Sequence, residues 1–477
     1  MDSNNPRFKR LRNQYVLVFI LLIPILLISP NIFSQVTQEW VARYDGPGNN
    51  TDYAYAIAVD TSGNVYVTGN SYTFPYYYDY ATIKYNSSGV QQWVRIYDGT
   101  GSSDDIANAI ALDISGNVYV TGGSWGGLGT YDDYATIKYN NLGVQQWVSR
   151  YNGAGGQIFD DDCAYAIAVD SSGNVYVTGE SSGLPADNDY ATVKYNSSGI
   201  QQWVTRYNGP GNGDDIANAI ALDSSGNLYV TGKSKGSGTN YDYATLKYNN
   251  AGTQQWVARY NGPENHSDIA YAIALDSSEN VYVTGESYNY ETYRDYATIK
   301  YNSSGIEQWV AKYNGPGNVY DKAYAIALDS SGNVYVTGKS ASSSTSPYNF
   351  DYATIKYNSS GVEQWVSRYN GPGNGDDSAN DLVLDGLGNV YVTGYSLGSG
   401  TYDDYATIKY NSSGVEEWVA RYNGPANSGD GAYAIALDGS ENVYVTGWSY
   451  GSGTGYDYTT IKYSQGTSIS DCIWDLY

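Results

Sequence analysis

Eight copies of the phrase Tyr-Val-Thr-Gly, beginning at Tyr66, Tyr119, Tyr176, Tyr229, Tyr282, Tyr335, Tyr391 and Tyr444, cut the chain into near-identical units. A second phrase, Asp-Tyr-(Ala/Thr)-Thr-(Ile/Val/Leu)-Lys-Tyr, starts at Asp79, Asp133, Asp189, Asp242, Asp295, Asp351, Asp404 and Asp457. A Trp recurs from Trp40 to Trp418 at spacings of 53 to 56 residues. Self-similarity at such a period marks an array in which each unit buries its apolar faces only against its neighbours.

Within one period, the runs 107–113, 118–122, 134–139 and 144–151 are rich in Val, Ile, Thr, Tyr and Trp, with Gly, Asn, Ser and Asp between them. β-branched and aromatic residues suit a pleated, half-buried surface, so each period reads as four short strands. Four antiparallel strands per unit make a propeller blade. The Asn-Gly-Pro-Gly-Asn type segments that follow the fourth run cannot extend a ladder, because Pro has no N–H to donate; they cross between blades. Counted from there, blade one begins near Asp52, yet residues 38–44 already read as a fourth strand. Blade eight ends its third strand at Tyr463 and carries Ser464-Gln465-Gly466 where a Trp-bearing strand is due. The amino-terminal strand is therefore expected to complete the last blade of an all-β, closed, eight-bladed propeller over 35–463, followed by a tail over 464–477. Closure pairs the two edges that an open array would expose to aggregation.

The wording Ala-Leu-Asp-Ser-Ser-Gly-Asn-Val-Tyr-Val-Thr-Gly, followed by Asp-Tyr-Ala-Thr-Ile-Lys-Tyr-Asn-Ser-Ser-Gly, resembles the bacterial β-propeller repeat called the SBBP repeat, and the strand order is similar to that of NHL-type propellers. The resemblance covers essentially Gln38 to Tyr463 and implies a propeller fold. The family is named for seven blades; this chain holds eight units.

Arg7, Lys9, Arg10 and Arg12 precede an apolar run from Tyr15 to Ile28, which is interrupted by Pro24 and too short for a membrane span. Residues 1–34 are thus expected to be a secretory signal, with the mature chain starting at Gln35 and no membrane insertion after cleavage. Without those four bases and Asp2, the formal charge falls from −24 to −27. Eight of the remaining bases are the strand-three lysines and eight lie on strand four (Arg43, Arg95, Arg150, Arg206, Arg259, Lys312, Arg368, Arg421). Only Lys233, Lys235, Arg294, Lys322 and Lys339 lie elsewhere. Basic charge locked into a framework leaves no patch for phosphates, so nucleic acid and anionic membrane surfaces are poor candidates as partners. An exported monomer, periplasmic, at the surface or released, is expected.

Tyr supplies the core in place of Leu and Met: 55 Tyr recur at about five positions per repeat, as at Tyr44, Tyr55, Tyr66, Tyr80 and Tyr85, most of them filling space between blades. Cys163 occupies a position held by Ile in sister repeats, and a bridge to Cys472 would pin the tail across the ring. Asp52, Asp105, Asp162, Asp215, Asp268, Asp321, Asp377 and Asp430 each stand eight residues before the Asp that ends strand one, and are expected to ring the channel mouth. Hard cations want carboxylates, so Ca2+ is a candidate ligand at Asp161 and Asp162. Carboxylates on neighbouring blades are expected too far apart to share an ion, since packed sheets lie about 10 Å apart. Asp readily bonds local amides, which makes capping of each blade the competing role.

The tight Asp-Ser-Ser-Gly-Asn and Asn-Ser-Ser-Gly turns make one face nearly the same in every blade, whereas crossings and strand two to three loops vary on the other, where binding residues belong. The single His266 gives no Ser or Cys nucleophile a base and excludes the usual zinc sites. No catalytic residue is therefore expected; an acid acting on polysaccharide would be an asymmetric one, Glu180, Glu286 or Glu291. The strongest asymmetry is aromatic. Trp125 and Trp448 are assigned to strand two to three loops, with Tyr450 in blade eight and Tyr72, Phe74, Tyr76, Tyr77 and Tyr78 in blade one. Ring closure makes these blades neighbours, so one patch is expected to bind a glycan or protein ligand by stacking. The chain is thus expected to be a non-catalytic exported binding module; a polysaccharide-acting enzyme and a structural adhesion component are the alternatives.

Overall fold

The computed structural model describes residues 36–73, 77–101, 103–127, 131–153, 161–183, 187–346 and 348–466. Its strands form eight four-stranded antiparallel sheets. Blade one runs Asp52–Val59, Val65–Thr73, Tyr77–Tyr85 and Gln91–Tyr97, and six more blades repeat that order. In blade eight, Asp430–Leu437, Val443–Gly451 and Gly455–Gln465 are joined by the amino-terminal strand Val36–Tyr44. The ladder pairs Val36 with Gln465, Trp40 with Lys462 and Tyr44 with Tyr458, so the third strand continues two residues past Tyr463. Gln465 Nε2 then donates to Tyr391 Oη and to the Glu441 carbonyl, both at 2.8 Å.

The blades meet through a repeated apolar interface. Between blades eight and one, Tyr444 and Tyr458 pack against Val65, Val67, Ala81, Ile83 and Tyr85, with Trp40 at the outer edge. Burying each large apolar side chain contributes about 1.5–3 kcal/mol. Tyr458 Oη donates to the Ala81 carbonyl at 3.1 Å, the same bond that joins Tyr134 to Ala191 between blades two and three. Ring closure therefore uses the same contacts as every other interface. The turn glycine Gly89, at φ +78°, leaves room for Trp40: a Cβ there would lie 2.6 Å from its ring. Lysines of strand three stand over strand-two rings, as Lys84 does over Tyr66 at 5.0 Å.

Every first strand is bulged. In blade one the register runs Ala54 to Gly69 and then Ala56 to Thr68, leaving Tyr55 as the extra residue. A bulge bends its strand and re-aims the unpaired side chain. It also explains the Gly of each Thr-Gly phrase: a Cβ on Gly69 would lie 1.9 Å from the Tyr53 carbonyl oxygen, and Gly232 and Gly394 face the same approach. Because first strands of adjacent blades abut, the bulge residues Tyr55, Asn108, Tyr165, Asn218, Tyr271, Tyr324, Asn380 and Tyr433 surround the ring's centre.

Candidate functional site

The eight strand-one aspartates do not line an open mouth. Each is at most 1% exposed. Asp52 accepts the Gly46 amide at 2.8 Å and the Tyr72 amide at 2.9 Å, tying the crossing loop to the end of strand two. Asp105 does the same with Gly99 and Trp125, and Asp430 with Gly424 and Tyr450. These carboxylates position the aromatic residues of the variable face. Burial pushes Asp52, Asp105, Asp321 and Asp377 up to about 6. Asp162 accepts from Gly153 and Ser182, while the exposed Asp161 presents its carbonyl to Ser182 Oγ. Both Asp162 oxygens are thus occupied by backbone amides.

Carboxylates do converge elsewhere, which corrects the separation argument. Asp45, Asp52 and Asp457, and likewise Asp79, Asp98 and Asp105, bring three oxygens within 4.8 Å of one another. Mean sheet spacing misled here, because the third strand of one blade abuts the first strand of the next. Asp45 and Asp98 stand where the other crossings carry Asn, such as Asn152 and Asn208. In the first trio Arg43 bonds Asp457 at 2.8 Å. The second trio has no ion pair among the described residues.

Trp125, Trp448 and Tyr450 lie within the second strands rather than in loops, because each such strand extends past its Thr-Gly phrase. Trp448 is half-buried and meets Tyr456 at 4.8 Å and Tyr53 at 6.3 Å. Tyr450 meets Tyr456 at 5.1 Å, Tyr53 meets Tyr55, and Tyr55 meets Tyr433 across the closure. Tyr72 pairs with Tyr78, and Tyr77 is half-buried in the same strand. Trp125 packs instead with Tyr131 at 5.2 Å and over Gly101. The expected patch is thus one six-ring cluster at the blade eight to one seam, with the Tyr72–Tyr78 pair beside it, where Tyr78 acts on Tyr53 and Tyr55, and the Trp125–Tyr131 pair on blade two. Phe74 and Tyr76 lie outside the described residues, as does Cys472.

Trp448 also lines a hollow of about 440 Å³ with Tyr395, Leu397, Tyr402, Asp376 and Asp403. Burial and Asp376 raise the Asp403 carboxyl. Hollows on the opposite face lie between adjacent turns, lined by copies of the same residues, such as Asp60, Ser62, Asp113 and Ser115, and so single out no blade. Tyr53, Tyr395, Tyr433 and Tyr456 escaped the sequence reading, although a signal existed for Tyr395. Within the eightfold Thr-Gly-x-Ser phrase, x is Asn70, Gly123, Glu180, Lys233, Glu286, Lys339, Tyr395 and Trp448. A position that diverse inside a fixed frame carries a role that differs from blade to blade.

Two of the three asymmetric acids are engaged. Glu286 is buried between Arg294 and Lys322, with Lys322 Nζ at 2.8 Å. Glu180 accepts from Tyr165 Oη and from Asn188 Nδ2, and Glu291 is exposed. His266 bonds Tyr290 Oη at 2.7 Å. Cys163 is half-buried beside Asn108, and burial pushes its thiol up to about 12.

The beta-propeller repeat model of the SBBP family matches residues 39–75, 92–129, 146–184, 202–238, 255–291, 308–344 and 364–400. With more than half of its residues matched, the chain belongs to the SBBP beta-propeller repeat family. It is 20% identical over 496 residues to an uncharacterized WD repeat-containing protein, L264, of Acanthamoeba polyphaga mimivirus, covering 87% of this chain and 31% of that protein. The chain thus spans less than a third of that relative. The β-propeller domain of the Trilobed protease from Pyrococcus furiosus superposes with a TM-score of 0.44 at 8% identity, over 78% of this chain and 98% of that one. A puromycin hydrolase S511A mutant gives 0.45 at 9% identity, over 84% and 59%. Likenesses this distant carry no inference about activity.

Proposed function

We propose that this propeller is an exported, non-catalytic binding module whose ligand is a glycan held on the variable face. The carrying observation is the run of half-buried rings Tyr53, Tyr456 and Trp448, which continues into the hollow where Asp376 and Asp403 stand beside Tyr395. Flat aromatic faces stack on the apolar faces of sugars at low entropy cost, and carboxylates accept sugar hydroxyls. Export rests on the signal-like segment 1–34, and a monomer on closure of the ring by Val36–Tyr44, which pairs with Gly455–Gln465.

A second reading, cleavage of a polysaccharide, is favoured by one observation: burial, with Asp376 beside it, raises the Asp403 carboxyl in a hollow that holds both acids, and a raised acid beside a second carboxylate is what acid catalysis on a glycosidic bond uses. A glycan array followed by product analysis of each bound oligosaccharide separates the two. We expect binding without cleavage, lost by roughly tenfold or more in Trp448→Ala at an unchanged melting temperature. A Trp448→Ala protein that binds every array glycan like the parent overturns the site. Product formation abolished by Asp403→Asn overturns the non-catalytic reading.

A further inference from the structure

The five bases outside the framework all fall on blades four, five and six. Lys233 and Lys235 stand over the Tyr241 ring at 4.6 and 5.3 Å. Arg294 and Lys322 converge on Glu286, and Lys339 pairs across the ladder with Lys322 and stands over Phe350 at 4.7 Å. Arg294 and Lys322 thus share one buried carboxylate and Lys339 lies beside Lys322, so that with Asp376 counted three cations face two carboxylates in a protein of net charge −24. Lys339 makes no ion pair among the described residues; Asp376 is the carboxylate that acts on it. Burial lowers both lysines, and each also feels a neighbouring cation: Arg294 on Lys322, and Lys322 on Lys339. Desolvating like charges together is unfavourable unless an anion joins them.

This cationic sector adjoins the aromatic hollow. Tyr395 of the hollow acts on Tyr324, whose ring lies 5.7 Å from Tyr271, and Tyr271 in turn feels Arg294. Rings therefore follow one another along the inner wall from Tyr395 to Tyr271, with Arg294 beside the last. We infer that Arg294, Lys322 and Lys339 form a carboxylate subsite, and that the ligand is a uronic-acid glycan whose sugar rings stack on the adjoining aromatics. This rests on the glycan reading above and adds the charge of the ligand. A half-buried guanidinium and two ammonium groups suit carboxylate, and the half-buried aromatic rings beside them favour a charged sugar over an acidic peptide.

The test is calorimetric titration of the full propeller with oligogalacturonate, with the same oligosaccharide after carboxyl reduction, and with polyglutamate. Binding of oligogalacturonate alone is expected, weakening with added salt, and Lys339→Gln and Lys322→Met are each expected to weaken it roughly tenfold. Lys339→Gln breaks no ion pair and so reports on the subsite even where Lys322→Met, which uncovers Glu286, lowers the melt. Equal binding of the carboxyl-reduced oligosaccharide, or of oligogalacturonate by Lys339→Gln, overturns the inference and leaves the glycan reading standing. Polyglutamate binding as tightly as the oligosaccharide overturns it in favour of an acidic protein partner. Binding of none of the three overturns the carboxylate subsite, and only an empty glycan array removes the broader reading.

Discussion

Ile96 stands where six sister blades place an arginine. In blade two that residue, Arg150, donates to Ser124 Oγ at 2.7 Å, to the Ser124 carbonyl, to Asp133 and to Tyr97 Oη of the preceding blade. The ladder pairs Ala135 with Arg150 and Ala81 with Ile96, so the positions are equivalent; Arg95 has slipped one residue along, onto the opposite side of the strand. Asp79 is left with Thr73 Oγ1 as its hydrogen-bond donor, and burial beside Asp98, Asp105 and Asp104 pushes its carboxyl up to about 6. Ile96→Arg is expected to raise stability by about 1.5–3 kcal/mol, the range for hydrogen bonds to charged groups, read as a higher urea midpoint. The gain should vanish when Asp79→Asn is added. No gain in the single variant would mean that the slot is filled differently in blade one.

At the scale of the strand, the amino-terminal segment Val36–Tyr44 acts at a distance of more than four hundred residues. It brings Trp40, whose Nε1 donates to the Ser87 carbonyl at 3.1 Å, and Arg43, which bonds Ser449 and Asp457. Its deletion exposes the edge of Gly455–Gln465 and strips one side of the closing interface. An exposed hydrophobic edge templates pairing with another chain. The deletion is expected to lower the melting temperature markedly and to shift size-exclusion elution to aggregates. A monomeric profile with an unchanged melt would mean that closure does not depend on this strand.

Across the whole molecule, two sets of repeated aspartates give stability an unusual pH dependence. Asp52, Asp105, Asp321 and Asp377 are raised to about 6 by burial, so between roughly pH 4 and 6 the native state holds protons that the unfolded chain has released. Stability from this set is full below pH 4 and lost as pH rises through 6. The turn aspartates Asp60, Asp113, Asp170, Asp276, Asp329 and Asp438 are instead held low by hydrogen bonds, as Asp60 is by Ser62, Asn64 and Tyr66. Their contribution is present above pH 4 and lost as pH falls below it. The urea midpoint is therefore expected to peak near pH 4–5 and to decline toward pH 7.5. A midpoint that climbs steadily from pH 5 to 7.5 would contradict the burial assigned to the strand-one acids.

The linear text displays the blade, the count of eight and the closing strand, because period, strand alternation and turn residues are local quantities. It also exposed Trp448 and Tyr450 as departures from the repeat. Which departures meet was set by the folded ring. Trp125 fell away from Trp448, while Tyr53 and Tyr55, which look like ordinary members of a Tyr-rich repeat, joined it across the seam. The bulge that frees Tyr55, and makes the Gly of Thr-Gly necessary, depends on how two strands register. The carboxylate trios and the cationic sector arise where the end of one blade abuts the start of the next, and such contacts depend on distances between chain segments that no spacing along one segment records.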